Sequence, residues 1–212
     1  MSVEQALLSF ALVAGLLTLV PGMDTALVLR SAVSQGRGKA YATALGINTG
    51  ALAWGIAAAV GASALLAASE TAFTVLKVAG AAYMAWLGFR MLWRSFRKPA
   101  THPADAGAPA APSSYVRAWL TGVGTNLLNP KVGVFYVAMI PQFIPPGVSP
   151  ALMGILLALV HNLEGLLFFS AIIWGTHAAR KWLRTPAVTR AIDRITGTVL
   201  VGFGVALAAE SR

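Results

Sequence analysis

Residues 5–23, 40–69 and 132–163 contain no Asp, Glu, Lys or Arg. No other feature limits the fold so strongly. A helix rises about 1.5 Å per residue, so about 20 apolar residues cross a hydrocarbon core about 30 Å thick. A water-soluble helix would instead carry charge every few residues along one face. The chain as a whole agrees with its longest runs. It is 57% hydrophobic and 11% charged over 212 residues, against about 25% charged in an ordinary soluble domain. The expected class is an all-α integral membrane protein.

Hydropathy places six transmembrane helices at roughly 6–29, 40–67, 71–93, 115–139, 151–176 and 191–209. Residues 1–5 lack the positive stretch of a signal peptide and read as the approach to the first membrane helix. The net charge of +9 does not indicate nucleic-acid binding, because the basic residues sort by loop and form no single exposed face. Of the 16 lysines and arginines, all but Lys77, Lys131 and Arg212 fall in or beside alternate connections. Arg30, Arg37 and Lys39 lie between helices 1 and 2. Arg90, Arg94, Arg97, Lys98 and Arg117 surround the connection of helices 3 and 4. Arg180, Lys181, Arg184, Arg190 and Arg194 lie between helices 5 and 6. Basic loops stay cytoplasmic, so both termini are expected outside, on the periplasmic face.

Residues 1–212 read as one transporter-like transmembrane domain made of two halves. A first repeat covers about 1–97, an Ala/Pro-rich cytoplasmic linker about 98–114, and a second repeat about 115–212. Aligning Pro21 with Pro130 also aligns Phe10 with Trp119 and Gly15 with Gly124. KVAG at 77–80 echoes RITG at 194–197, and Asn48/Gly50 echoes Asn162/Gly165. Three helices per unit force the copies into opposite orientations, the inverted repeat common among secondary transporters.

Polar groups inside apolar spans are the candidate functional residues. Pro21, Gly22 and Asp24 stand together in the first helix. The proline removes a backbone donor and frees carbonyls that lipid cannot satisfy, which is tolerated where the break lines a wet cavity. An intramembrane carboxylate beside it is a functional-site candidate by default. Asn126, Asn129, Pro130 and Lys131 form the counterpart in the fourth helix. Asp24 and Lys131 could bind the ammonium and carboxylate of an amino acid, or they could form a structural ion pair between the halves. In helix 5, His161 and Glu164 are three apart and share a face. Glu164 is a candidate proton carrier, with a protonated, hydrogen-bonded structural role as the alternative. Asn48 and Asn162 either line the path or tie helices together.

Several chemistries are disfavoured. The chain has no cysteine, which excludes disulfides, thiolate metal sites and dithiol relays. Three histidines make a resident metal site improbable by ligand supply. No nucleophile elbow, zinc-protease or P-loop motif occurs, so the chain does not read as an enzyme, and no cofactor is expected. An exporter of metal ions or of another small metabolite with the same architecture is the alternative to an amino-acid carrier.

VPGMDTALVLRSAVSQGRGKAYATALGINTG at 20–50 resembles the first helix pair of the LysE/RhtB family of bacterial amino-acid exporters. LKVAGAAYMAWLGFRMLWR at 76–94 is similar to its third helix, TNLLNPKVGVFYVAMIPQF at 125–143 to its fourth, and IDRITGTVLVGFGVALA at 192–208 to its last. Only the 98–114 segment falls outside the likeness. Met23 stands where many members carry Pro. The resemblance implies a six-helix inner-membrane exporter driven by the proton motive force, with amino acids or their analogues and protons as partners. It implies self-association into a homo-oligomer. It also implies that Pro21, Gly22 and Asp24, Asn129, Pro130 and Lys131, and the helix-5 acid Glu164 belong to the family's functional motifs.

Overall fold

A computed structural model describes residues 1–96, 114–176, 178 and 185–209. Most of the 98–114 linker lies outside the described residues, with His102, His177, Arg97, Lys98, Arg180, Lys181, Arg184 and Arg212.

The first expected span is two helices, α1 (Val3–Leu19) and α2 (Met23–Gln35), bent by 57°. Ser2 and Gln5 form a reciprocal capping box that satisfies the first donors of α1. The helix stops at Leu19 because Pro21 has no N–H to give the carbonyl of Leu17. Helix α2 runs six residues beyond the expected end at 29. Its last turn is polar, but a helix satisfies its own backbone in water as well as in lipid. Gly36 ends it at φ 86°, a left-handed value that glycine adopts without steric cost, and α3 (Arg37–Ala68) follows directly.

Ser69 then turns the chain into α4 (Glu70–Ser95), its hydroxyl accepting from Ala72 N at 3.1 Å. The fourth expected span is again broken, into α5 (Tyr115–Leu127) and α6 (Pro130–Met139). Asn129 caps α6 by accepting from Lys131 N at 3.1 Å, with Pro130 at the first helical position, where its missing N–H costs nothing. A 3₁₀ turn, Ile140–Phe143, leads towards α7 (Pro150–Trp174), and the last helix is α8 (Pro186–Ala209). No strand occurs among the described residues.

Helices α3, α4 and α7 are each long and apolar enough to cross a membrane, and the bent α1–α2 pair also qualifies if counted as one span. Helix α3 is central, packing on α2, α5, α6 and α7, while α4 lies along α8. The main core joins Phe10, Val13 and Leu17 of α1 to Phe135, Tyr136 and Met139 of α6 and to Met153 and Leu157 of α7. Leu8, Leu12, Leu163 and Leu167 face outward, as lipid permits.

Small residues set the helix spacing. A Cβ on Gly55 of α3 would meet the carbonyl of Gly154 at 2.7 Å and Ala158 Cβ at 2.6 Å. Such close backbone approach is the usual means of packing helices in lipid, where no hydrophobic force drives them together.

Candidate functional site

Both helix breaks open onto one cavity of about 60 Å³, room for a few water molecules. Gly22 and Asp24 reach it from the α1–α2 break, and Asn126, Asn129 and Lys131 from the α5–α6 break. Asn48 of α3 and Asn162 of α7 complete its polar wall, with Thr18, Thr25 and His161; Ile47, Ala51, Val132 and Phe169 are among its apolar lining.

Lys131 performs a task that the Pro21 break creates. Its ammonium donates to the carbonyls of Leu17, at 3.2 Å, and Val20, at 3.0 Å. In an unbroken helix those carbonyls would take the N–H groups of residues 21 and 24. Residue 21 is proline, and α2 starts anew at Met23. A cation from the second half therefore terminates the first helix of the first half.

Asp24 accepts from Asn126 Nδ2 at 2.9 Å. Its other oxygen, Oδ1, is buried without a hydrogen-bond partner, as is Asn126 Oδ1. Asp24 and Lys131 share the cavity but form no direct ion pair: among the described residues no carboxylate oxygen lies within 4 Å of Lys131 Nζ. The two charges thus face one chamber without direct contact.

Three of the expected site residues lie off this cavity. Pro21 acts through the backbone break that it imposes. Pro130 lines a larger, mainly apolar groove of about 450 Å³ with Trp54, Tyr83 and Gly133. Glu164 faces α1, where a Cβ on Gly15 would lie 3.4 Å from Glu164 Oε1, and Glu164 Oε2 is buried without a partner.

His161 and Glu164, which share a helix face by spacing, serve different neighbours. His161 Nδ1 lies 2.8 Å from the hydroxyl of the fully buried Tyr136, and the imidazole borders the cavity. The sequence marks His161 only as Glu164's neighbour, and nothing local signals its contact with Tyr136, 25 residues away. Thr25 could have been suspected from its place beside Asp24. Thr18 carries no signal, since its hydroxyl returns to Ala14 O, a common habit of helical threonine. Among the described residues no three His, Cys, Asp or Glu converge as metal ligands.

Comparison with known proteins identifies the family. The family described as LysE type translocator matches residues 15–211. The chain is 30% identical to an uncharacterized membrane protein of Bacillus subtilis, YrhP, over 94% of this chain and 97% of that protein. It is 30% identical to a leucine efflux protein of an Enterobacter species over 91% of this chain and 90% of the relative. It is 29% identical to a threonine efflux protein of Salmonella typhimurium over 88% and 89% of the two chains. No solved structure matches. With the family matching from α1 to the end of α8, the chain is a member of the LysE/RhtB family of translocators, a multi-pass protein of the bacterial inner membrane.

Proposed function

We propose that this protein exports amino acids or close analogues from the cytoplasm in exchange for protons, with the cavity between the two helix breaks as its binding site. The observation that carries the reading is the polarity of that cavity. Buried, unpaired Asp24 Oδ1 and Asn126 Oδ1 suit an ammonium group, while the Lys131 ammonium suits a carboxylate. The names of the leucine and threonine efflux relatives support the same class of cargo. Glu164, held in an apolar span near the cavity's helix, is the proposed proton carrier.

Six spans arise when α1–α2 and α5–α6 each count as one broken crossing beside α3, α4, α7 and α8. Two inverted three-helix repeats are supported by the pairing of α3 with α7 and α4 with α8, and by the packing of α1 on α7 as α5 packs on α3. Rocking of one repeat against the other would expose the cavity alternately to either side. Both termini lie outside on the charge argument. Homo-oligomers, implied by the family likeness, belong to the same proposal. A transport protein has no need of a catalytic group or cofactor, and none is assigned.

The test is efflux from cells preloaded with amino acids as dipeptides, with and without an uncoupler. Faster, uncoupler-sensitive loss of one amino-acid class from cells making the protein is the expected result. Identical loss across the panel with and without the protein would refute amino-acid export.

A further inference from the structure

Lys131 lies in the shared cavity with no carboxylate within 4 Å among the described residues, and its two hydrogen bonds go to backbone carbonyls of another helix. Those carbonyls end α1 at a 57° bend: Leu17 O keeps the cap N–H of Val20 at 3.2 Å, while the fresh start of α2 leaves Val20 O without a helical donor. Gly22 lies in the bend against the lysine: a Cβ there would sit 3.8 Å from Lys131 Nζ. The side chain thus ties α6 of one half to the break in the other.

We propose that Lys131 is a latch that a free carboxylate on the cargo releases, so that the protein moves only compounds carrying one. This inference rests on the amino-acid reading above. A carboxylate competes well for the ammonium, because a charge-assisted hydrogen bond is stronger than one to a neutral carbonyl. Once the ammonium turns to the cargo, the Val20 carbonyl loses its donor and Leu17 O is left with the Val20 N–H alone. An unsatisfied carbonyl in an apolar span is unfavourable, and a change in the α1–α2 angle, admitting water or new donors, relieves it. Asp24 and Asn126 hold the ammonium end of the cargo without touching the latch. A molecule with an ammonium group but no carboxylate therefore occupies the cavity and leaves the bend as it was.

The chain has no cysteine, so Leu12→Cys and Val33→Cys place spin labels on α1 and α2 alone. Both positions are exposed, and neither lines the cavity. The full chain in lipid nanodiscs is measured by pulsed electron resonance with L-threonine, L-leucine, or the matching amides threoninamide and leucinamide. The amino acids should shift the inter-label distance and the amides should not. Export of the amides should fall at least ~10-fold below that of the acids. Lys131→Met should show the shifted distance without any ligand, whereas Lys131→Arg, which keeps donors, should stay at the unliganded distance. Amides that shift the distance and are exported like the acids would overturn the latch, and so would a Lys131→Met protein with the unliganded distance. The amide comparison uses the unaltered residue 131, so it decides the matter even if Lys131→Met fails to fold. Absence of export for every amino acid would instead refute the parent reading, and the ligand-free Lys131→Met measurement would still judge the latch.

Discussion

Asn48 and Asn162 exchange hydrogen bonds across the α3–α7 contact: Asn48 Nδ2 donates to Asn162 O at 3.2 Å, and Asn162 Nδ2 donates to Asn48 O at 3.0 Å. Each residue does for its partner what the partner does for it, as two equivalent positions of a duplicated unit would. Both amides also border the cavity, so the tie between halves forms part of its wall. Asn48→Ala and Asn162→Ala should each lower stability by about 0.5–1.5 kcal/mol, and by similar amounts, in unfolding from mixed micelles. A large loss from one and none from the other would speak against equivalence.

Gly55→Val should be far more damaging than either asparagine change. Its first side-chain carbon alone would press on the Gly154 carbonyl and Ala158 Cβ. Forcing α3 and α7 apart should cost about 1–3 kcal/mol, seen as a lower midpoint in thermal unfolding of the detergent-solubilised protein. Gly61→Val, with open space around it, is the control and should unfold near the parent temperature.

Asp24→Asn keeps the shape and an oxygen for Asn126 but removes the negative charge. Hydrogen bonds to charged groups are worth about 1.5–3 kcal/mol, so cargo export should fall roughly 10- to 100-fold while the melting temperature barely changes. Initial export rates over a range of internal amino-acid concentrations test this. Unaltered rates would remove Asp24 from the binding site.

Glu164→Gln should preserve downhill efflux and abolish its acceleration by an imposed proton gradient, measured in proteoliposomes with the gradient switched on or off. Gly15→Leu, which places a bulky group against the Glu164 carboxylate, should impair the same coupled component. Gradient-driven export that survives Glu164→Gln in full would assign the proton to another group.

Orientation has its own test. A single cysteine at Ser2 should react with a membrane-impermeant maleimide in intact spheroplasts, and one at Gly36 only after permeabilisation. Both positions are exposed, and the native chain contributes no background thiol. The reverse pattern would invert the topology.

The membrane class and both helix breaks were legible in the sequence because each depends on local chemistry. Charge-free runs exclude water-soluble helices wherever they fold, and Pro21 and Pro130 interrupt hydrogen bonding whatever surrounds them. The breaks also announced the cavity, since backbone at that depth needs polar company. Helix ends were less legible: α2 reaches Gln35 because a polar last turn stays helical until Gly36 permits the turn.

Only the tertiary structure decided which polar groups meet. By composition Asp24 and Lys131 could pair, yet Lys131 bonds a carbonyl 111 residues away and Asp24 bonds Asn126. By spacing His161 and Glu164 share a face, yet one borders the cavity beside Tyr136 and the other lies against Gly15. A sequence states what each group requires. Among several acceptors and donors of similar strength, helix packing selects the partner, because hydrogen bonds act over about 3 Å and only the fold brings distant groups that close.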